Sequence, residues 1–463
     1  MTETLSVHAP WDGRLLDTLP VSSQAEVEAA FATAQALFRS RKAWLPKIER
    51  VAILRRAAAI ARGRREALAL QVASESGKPL RDALIEIDRG IDGIELCVET
   101  LRAEGGHVIP MDLNATSAGR VAFTQMEPIG VVLGLAAFNH PFNLVIHQVA
   151  PAVAAGAPVI VKPSPKTPLS CRAVVEIFHE AGLPKGWAQM VLPLDIGVIG
   201  RMVSDPRVGF LSFIGSAAVG WKLRSMLAPG ARCALEHGGV APVIVAGDAD
   251  LAQAIPRLGR AGFWHAGQAC VSVQRIFCEG GILDDLAAGL SGVADRMVIG
   301  DPTKPETEVG PIITHAEADR IANWVDASGA TIATGGKRLS PSTYANTVLV
   351  NPDPMADVSR REVFGPVVCL YPYDDIDAAI ATANDLPFSF QAAVFSRNID
   401  TAMHCFRHLD GTAVMVNEHP LFRVDWMPFA GARQSGLGVG GIPHSIRDMQ
   451  TEKMMVWRSD ALN

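Results

Sequence analysis

The stretch IGVVLGLAAFNHPFNLVIHQVAPAVAAGAPVIVKPS, residues 129–164, contains two short apolar runs separated by a helical stretch. The first run ends at the polar break NHPFN, and the second ends at Lys162. Buried strands that alternate with helices of this length are typical of a parallel sheet covered by helices on both faces. The stretch therefore predicts a βαβ unit of a doubly wound α/β fold.

The alternation of apolar runs and helical stretches continues toward the C-terminus. The runs AQMVL, VGFLSFIG and CALE follow first, and a second series starts near Gly239 with PVIVAG, QRIFCE, TVLVNP, VVCLYPYDD and GTAVMVN. Upstream, apolar residues at three- and four-residue spacing predict helices over 48–72 and 80–101. We predict two doubly wound parallel-sheet domains that join at 236–240, and a C-terminal strand, EKMMVWR, without a nearby partner.

Composition and charge limit the classes of function. The chain has 463 residues, of which 49% are hydrophobic and 19% charged, so it can bury large cores. Its net charge of −6, without clusters of Lys and Arg, argues against a nucleic-acid or membrane partner. Seven dispersed cysteines favour free thiols in a reducing compartment. The N-terminus lacks the features of a signal peptide, and prolines interrupt the longest apolar window, so we expect a cytoplasmic protein.

One cysteine differs from the other six. The segment FWHAGQACVSVQ, residues 263–274, places Cys270 in a loop of small residues just before a strand. Gly267 and Ala269 are expected to leave room for a substrate carbon to approach the sulfur. A thiolate is a strong nucleophile, so Cys270 is a candidate for covalent catalysis. The other cysteines lie in apolar segments and are predicted to be small buried hydrophobic residues.

Other candidates follow predicted strands. Glu236 of ALEHGG could take a proton from water or be a solvated carboxylate, and Asn139 could stabilise an oxyanion or cap the next helix. Lys162 could bind a nucleotide ribose or be an ordinary surface lysine. Gly215 and Ser216 begin a predicted helix and could seat a phosphate. No G-x-G-x-x-G sequence follows any of these strands, so the common dinucleotide fingerprint gives no support.

Together and in this order, eight motifs resemble the aldehyde dehydrogenase superfamily over nearly the whole chain: FNHPFN, VIVKPS, FIGSAAVG, LEHGG, GQAC, GDPTKPETEVGP, REVFGPVV and PFAGARQSG. The resemblance implies the aldehyde dehydrogenase fold. It assigns residues 1–107 and 128–238 to a cofactor-binding domain and 239–440 to a catalytic domain. Residues 108–127 and 441–463 would form a bridging element that supports a homodimer or homotetramer.

The resemblance also implies a role for each catalytic candidate. Cys270 would attack the aldehyde carbon, and Asn139 with the backbone N–H of Cys270 would hold the oxyanion. After hydride transfer to NAD or NADP, Glu236 would activate the water that hydrolyses the thioester. Many relatives carry an Arg-Glu pair where this chain has Val439 and Gly440, which leaves Glu236 as the evident base.

The implied cofactor site gives Lys162 the ribose, Ser216 the pyrophosphate and Glu362 the nicotinamide ribose. Phe364 would border the nicotinamide ring. Pro165 stands where NAD-selective relatives often carry Glu, so we expect NAD and NADP to bind with similar affinity. No metal site is predicted. The full set of predicted cofactor residues is Phe138, Lys162, Ser164, Gly215, Ser216, Glu362 and Phe364.

For the substrate, the motifs resemble the branch that acts on phosphonoacetaldehyde, sulfoacetaldehyde and lactaldehyde. Arg423 lies in the loop that closes over the tail of the aldehyde in this family, and its planar fork suits an anionic tail. The alternative is an arginine that only pairs with Asp425 or Glu418. His140 and Arg89 are further candidates for the same pocket.

Three other functions compete with this interpretation. A CoA-acylating dehydrogenase would release the acyl group to CoA, but such relatives usually lack a carboxylate at position 236. A non-catalytic protein with the same fold would have no need for the complete set of candidate residues. A thiol hydrolase that pairs Cys270 with His265 or His237 lacks a third residue to orient the base. The role of His237 itself is not accounted for.

Overall fold

Two open, mostly parallel β-sheets covered by helices form most of the structure, a computed structural model that describes residues 3–462. A small antiparallel sheet lies beside them. The strands are β1 (Thr4–His8), β2 (Leu15–Pro20), β3 (Val108–Ile109), β4 (Arg120–Pro128), β5 (Val131–Leu135), β6 (Val159–Lys162), β7 (Ala188–Met190), β8 (Val208–Ile214), β9 (Arg232–Glu236), β10 (Val243–Val245), β11 (Arg275–Glu279), β12 (Thr331–Thr334), β13 (Thr347–Val350), β14 (Val367–Tyr373), β15 (Phe388–Ser389), β16 (Gln391–Phe395), β17 (Ala413–Val416), β18 (Ala432–Arg433), β19 (Gly436–Leu437) and β20 (Gln450–Arg458).

The helices connect these strands and cover both faces of the large sheets. They are α1 (Gln24–Arg39), α2 (Lys47–Gly63), α3 (Arg65–Ser76), α4 (Leu80–Ala103), α5 (Asn143–Ala155), α6 (Pro168–Glu180), α7 (Ile196–Val203), α8 (Ala217–Arg224), α9 (Leu251–Phe263), α10 (Leu283–Arg296), α11 (His315–Asp326), α12 (Asp357–Arg360), α13 (Ile376–Asn384), α14 (Ile399–His408) and α15 (Ile442–Asp448).

The first large sheet has six strands in the order β19-β9-β8-β5-β6-β7. Every pair is parallel except β19 with β9, which is antiparallel. All five residues of β5 are buried, because helices cover this strand on both sides. Such burial on both faces explains why the strand reads as a continuous apolar run rather than an alternating one.

The second large sheet has seven strands in the order β12-β13-β14-β11-β10-β16-β17. Its pairs are parallel except for the edge strand β12. The chain passes from the first sheet to the second between Glu236, the last residue of β9, and Val243, the first of β10. The predicted α/β class with two parallel sheets is confirmed.

The small sheet contains the predicted C-terminal strand. Strand β20 pairs antiparallel with β4 along its whole length, from Gln450 opposite Pro128 to Arg458 opposite Arg120. Strand β3 borders the other side of β4, so β20 is an edge strand within the described residues. The partner that the local sequence could not supply is therefore a strand more than three hundred positions earlier in the chain.

The structure corrects three details of the sequence prediction. The helix predicted over 48–72 is two helices, because the backbone leaves helical geometry at Arg64. Strand β19, placed in the predicted catalytic segment, returns to the first sheet. Helix α15, placed in the predicted bridging segment, buries Ile442 and Ile446 in the core that α2, α4 and α5 share. Both differences arise because these late segments pack against distant parts of the chain.

No helix within residues 3–462 combines the length and hydrophobicity that a membrane crossing requires.

Candidate active site

Four of the predicted site segments lie at one edge of the six-stranded sheet. Asn139 follows β5, Lys162 ends β6, Ser216 follows β8, and Glu236 ends β9. These four strands are neighbours and parallel, so their carboxyl ends lie side by side. Ligands of open α/β sheets bind in the crevice outside the carboxyl ends of the strands. The structure thus brings the predicted cofactor residues of this half to one crevice edge.

The loop that carries Cys270 has an unusual backbone. His265, Ala266 and Gly267 lie consecutively in the left-handed region, with φ of 49°, 52° and 70°. Two of them have side chains, and such a residue costs about 1–2 kcal/mol in this region. A Cβ on Gly267 would also collide with the carbonyl oxygen of Gly365. The predicted function of Gly267, room for substrate, is therefore not what this position shows: the missing side chain lets two backbone segments pack together.

The thiol of Cys270 lies in an apolar cluster with Val271, Phe390 and Phe429. Burial, together with the neighbouring carboxyl groups of Glu362 and Glu236, raises the pKa of the thiol to about 12. The guanidinium of Arg423 and the backbone N–H of Cys270 lower this pKa. The same groups therefore lie within electrostatic reach of the sulfur.

The Asn139 side chain does not cap a helix. It is buried, and its Nδ2 donates to the backbone carbonyl of Gln268 at 3.0 Å, while α5 begins four residues later. This bond joins the loop after β5 to the Cys270 loop. Gln268 in turn accepts from the backbone of Ile313 at 2.9 Å and donates to the carbonyl of Pro311 at 3.2 Å. The second N–H of the Asn139 amide makes no bond in the described structure.

Glu236 is half-buried at the end of β9, opposite Gly436 of β19. Its carboxylate lies against Gly440, where a Cβ would collide with Oε1. The absence of a side chain at Gly440 therefore makes room for the carboxylate of Glu236. A half-buried carboxylate at the edge of the crevice can reach both solvent and the Cys270 side of the site.

Glu362 borders the crevice beside Gly238 and is half-buried, with its Oε1 atom excluded from solvent. Burial raises its pKa to about 8, and its Oε1 has no hydrogen-bond partner. The carboxylate occupies the space beside Gly238 in which a side chain would stand. Phe364, in the left-handed region with φ of 49°, places its ring edge toward Phe138, with ring centroids 5.8 Å apart. An unpartnered buried acceptor is the group expected of a ligand for ribose hydroxyls.

The remaining cofactor candidates also keep donors available. Burial lowers the pKa of Lys162 to about 8, and its Nζ donates only to the carbonyl of Pro163, at 2.9 Å. Ser164 is half-buried and accepts from the backbone of Lys166. Ser216 is exposed at the first position before α8, and its hydroxyl makes no cap bond. The N-terminus of α8 therefore offers free N–H groups, so this set of residues fits a dinucleotide.

His237 connects two neighbouring parts of this crevice edge, the end of β9 and the turn that follows β8. Its Nδ1 donates to the carbonyl of Gly215 at 2.9 Å, and its ring fills the space beside Gly220 of α8. The ring also contacts Phe213 and Trp221. Burial lowers the pKa of His237, so the neutral ring with hydrogen on Nδ1 fits the bond. The histidine connects the strand of Glu236 to the turn before α8.

A cluster of charges borders the Cys270 side of the site. The buried Asp425 faces Arg89 at 2.7 Å, His147 at 3.0 Å and Arg423 at 3.4 Å. Although burial opposes it, His147 and the two arginines lower the pKa of Asp425. Arg89 forms a two-pronged pair with this carboxylate, with nitrogen–oxygen distances of 2.7 and 3.1 Å. The predicted alternative, an Arg423–Asp425 pair, is therefore present, and Glu418 is not its partner.

Arg423 is nevertheless not saturated by this pair. Its side chain is 11% exposed, its Nε has no hydrogen bond, and its guanidinium carbon lies 3.6 Å from the ring centroid of Phe429. Cys270 and Glu236 both act on its charge, so both lie within electrostatic reach of the guanidinium. His140 is half-buried with its ring 5.2 Å from that of Trp264, and burial lowers its pKa well below the usual value.

The sequence prediction missed several buried polar residues behind the site. Glu75 and Glu86 each bind backbone N–H groups at the start of a helix, and Lys78 pairs with Glu86. Gln268 and His147 were also missed. The available signal was periodicity: Glu86 falls on the buried face of α4, beside Ile87 and one turn before Gly90.

Comparison with known proteins assigns the chain to a family. The model of the aldehyde dehydrogenase family matches residues 1–455. The 3-sulfolactaldehyde dehydrogenase of Priestia aryabhattai is 35% identical over 442 residues, which are 95% of this chain and 91% of that protein. The sulfoacetaldehyde dehydrogenase of Neptuniibacter caesariensis is 30% identical, over 98% of this chain and all of its own length.

The fold agrees with this assignment. The crystal structure of glyceraldehyde-3-phosphate dehydrogenase from Methanocaldococcus jannaschii, complexed with NADP, superposes with a TM-score of 0.94 at 30% identity. The match covers 99% of this chain and all of that one. The chain therefore belongs to the aldehyde dehydrogenase family, whose members are NAD(P)-dependent oxidoreductases.

Proposed function

We propose that this protein oxidises a small anionic aldehyde to its carboxylic acid through a covalent adduct on Cys270. The observation that carries the substrate class is the charge cluster beside the nucleophile. One carboxylate, Asp425, faces two guanidinium groups; Arg423 approaches it through Nε, at 3.4 Å and without a hydrogen bond, and its charge acts on Cys270. A sulfonate, phosphonate or carboxylate on the aldehyde would supply the missing acceptors. The two relatives named for sulfonated aldehydes support the same class.

The reaction begins at the sulfur. The Cys270 thiolate would form a C–S bond to the aldehyde carbon, and the carbonyl oxygen would become an oxyanion. The free N–H of the Asn139 amide and the backbone N–H of Cys270 would stabilise this charge. Because the thiol pKa is raised by burial, a proton must leave before attack, and the nearby Arg423 favours that ionisation.

The adduct then breaks down in two stages. Bound NAD or NADP supplies an acceptor for the hydride that leaves the adduct carbon, held by Lys162, Ser216 and Glu362. As the oxyanion returns to a carbonyl, Cys270 carries a thioester. Glu236 would take a proton from water, the water oxygen would attack the thioester, and the C–S bond would break to release the carboxylic acid and the Cys270 thiolate; the proton on Glu236 would then pass to solvent.

A spectrophotometric assay tests the reaction. Production of NADH or NADPH is followed at 340 nm with a sulfonated or phosphonated two- or three-carbon aldehyde, each with and without CoA. We expect CoA-independent turnover, and a loss of at least a thousandfold in kcat for Cys270→Ser. Turnover that requires CoA would overturn the hydrolytic step, and full activity of the serine variant would overturn the covalent scheme.

The substrate class is tested by changing Arg423. Arg423→Ala should raise KM for the anionic aldehyde by about 10- to 100-fold, because hydrogen bonds to charged groups contribute about 1.5–3 kcal/mol. KM for propanal should change less than threefold. Arg423→Lys should recover part of the loss. Arg397→Ala is the control, because Arg397 is 69% exposed and is not one of the predicted site residues. An equal effect on both aldehydes would overturn the anionic class.

Two further parts of the function are proposed on smaller grounds. Pro165 offers no carboxylate to repel a ribose phosphate, so NAD and NADP should serve with similar kcat/KM, and a hundredfold preference for NAD would contradict this.

The free edge of β20, with Met454, Met455, Val456 and Trp457 exposed, should pair in a homodimer or homotetramer. Light scattering that shows a monomer at micromolar concentration would contradict this pairing through β20.

A further inference from the structure

The backbone N–H groups at the start of α5 are bound by a carboxylate from another helix. Glu86 of α4 accepts from the N–H of Phe142 at 2.9 Å and from that of Asn143 at 3.1 Å, both through Oε1. The first N–H groups of a helix have no partner within the helix, and a negative charge suits that end. Glu86 is 1% exposed, so this carboxylate belongs to the interior and is not replaced by water.

The other oxygen of Glu86 has a buried cation as its partner. The Nζ of Lys78 pairs with Oε2, and the side chains of both residues are excluded from solvent. Burial of a charge is costly unless an opposite charge and hydrogen bonds compensate it. Lys78 therefore holds the carboxylate in one orientation, with Oε1 directed at the start of α5.

The ion pair also contacts the loop of the nucleophile. Lys78 Nζ lies 5.2 Å from the ring centroid of Trp264, which directly precedes the left-handed residues of the Cys270 loop. Asn139 in turn donates to Gln268 of that loop. The two halves of the proposed oxyanion site thus share one buried support.

Helix α4 makes a second contact with the segment that begins α5. The ring of Phe142 packs against Gly90, one helical turn after Glu86, and a Cβ at Gly90 would lie 2.6 Å from its Cε1. Asn139 is separated from Phe142 by only His140 and Pro141. Its position is therefore determined at one end by β5 and at the other by the bonds from α4.

We propose that Glu86, held by Lys78, is a positioning residue that fixes the Asn139 amide in the oxyanion site. The inference rests on the proposed function, because it assigns its effect to the oxyanion. A displacement of about 1 Å in a group that stabilises a transition state can lower the rate by as much as a hundredfold. Loss of the Glu86 bonds should therefore lower kcat and leave the affinity for the cofactor unchanged.

The test is a double-mutant cycle between positions 86 and 139. Asn139→Ala should lower kcat by about 100- to 1000-fold. Glu86→Asp keeps the charge beside Lys78 but withdraws the carboxylate by one methylene, and kcat should fall at least tenfold. In the Asn139→Ala background the same change should cost less than threefold, because the amide that it positions is already absent. Independent, multiplicative losses would overturn the proposal.

A second variant separates the position of the oxygen from the charge. In the double variant Lys78→Met with Glu86→Gln, both charges are removed and a carbonyl oxygen remains for the two N–H groups. Its kcat should stay within fivefold of the parent. A loss as large as that of Glu86→Asp would overturn the assignment to the acceptor oxygen. Equilibrium titration with NADPH, followed by fluorescence, should give a Kd within threefold of the parent for every variant, and a larger change would also count against the proposal.

Glu75→Gln is the matched control, because Glu75 is an equally buried carboxylate at the start of α6. Its effect should multiply with that of Asn139→Ala, since it supports the Lys162 loop instead. The single variants distinguish failure of the proposed function from failure of the positioning role alone. If Asn139→Ala and Cys270→Ser leave kcat intact, the proposed function fails. If both lower kcat but Glu86→Asp does not, only the positioning role fails.

Discussion

The starts of α5 and α6 meet the same requirement with different electrostatics. At α5, Glu86 accepts two backbone N–H groups and is neutralised by Lys78. At α6, Glu75 accepts from Leu169 and Ser170 at 2.8 Å each and from the Ser170 hydroxyl. Within residues 3–462, no cation is among the main groups that shift the pKa of Glu75, whereas Lys78 pairs directly with Glu86.

The consequence is visible in the pKa of Glu75. Burial, with a smaller contribution from Glu86, raises this pKa to about 7, although the hydrogen bonds oppose the shift. The helix after Asn139 is thus held by a charge with a buried counterion, and the helix after Lys162 by a carboxylate that gains a proton near neutral pH. A buried carboxylate at a helix start is therefore a constant support only where a cation accompanies it.

The largest expected effect comes from removing the two buried carboxylates, Glu86 and Glu75, one at a time. Glu86→Ala should lower the free energy of unfolding by about 3–5 kcal/mol, because it leaves the charge of Lys78 buried without the carboxylate that accepts its hydrogen bond. Glu75→Ala should cost about 1–3 kcal/mol, since only neutral donors lose their acceptor. Urea unfolding at pH 7, followed by circular dichroism, measures both. Equal losses would show that the counterion does not matter.

The second effect concerns pH. Because the pKa of Glu75 in the folded state exceeds its unfolded value of about 4.5, its stabilising contribution is present below that value and is lost as pH rises through about 7. A shift of this size corresponds to about 3 kcal/mol. Relative to Glu75→Gln, the parent should therefore lose stability between pH 5 and pH 8. Parallel curves for the two proteins over this range would contradict the raised pKa.

A smaller effect tests the packing that only α5 receives from α4. Gly90→Ala should destabilise the protein by about 1–3 kcal/mol, because its Cβ would overlap the Phe142 ring. Gly93→Ala, on the same helix, is the control: its nearest neighbour would lie at 3.6 Å, and alanine favours a helix by about 1 kcal/mol. The two thermal midpoints should move in opposite directions. A shift of the same sign and size would remove the argument for close contact.

The smallest effect concerns one hydroxyl at α6. Ser170→Ala removes a donor to Glu75 and should cost about 1 kcal/mol at pH 7. Since that bond lowers the pKa of Glu75, its loss should also move the decline in stability toward higher pH. Unfolding curves at three pH values measure both changes, and a decline that moved toward lower pH would contradict the assignment.

The sequence predicted the fold at positions where burial is visible in the local composition of the chain. Strands such as β5 are buried on both faces, and their continuous apolar runs ended at Asn139, Lys162 and Glu236, so the crevice edge could be predicted with them. The motifs then placed Cys270 and Glu362 by resemblance. These are the positions at which local composition and site coincide.

The supports behind the site had no such trace. Glu86 becomes interpretable only when its partners are known, and Lys78 reads like any surface lysine although it is fully buried. The role of Gly267 was misjudged for the same reason, because Gly365, the segment it packs against, lies far along the chain. Burial of a charge and close approach of two backbones are decided by long-range contacts, which one sequence does not display.

The return of the chain to its first sheet has a consequence for synthesis. Strand β19 pairs with β9, and Ile442, Ile446 and Met449 fill the core beside α4 and α5. A ribosome must therefore deliver nearly all of the 463 residues before the N-terminal half can close its interior. A fragment that ends near residue 240 would expose this apolar surface to water, so we expect the half that holds Lys162 to aggregate when it is produced without the C-terminal segment.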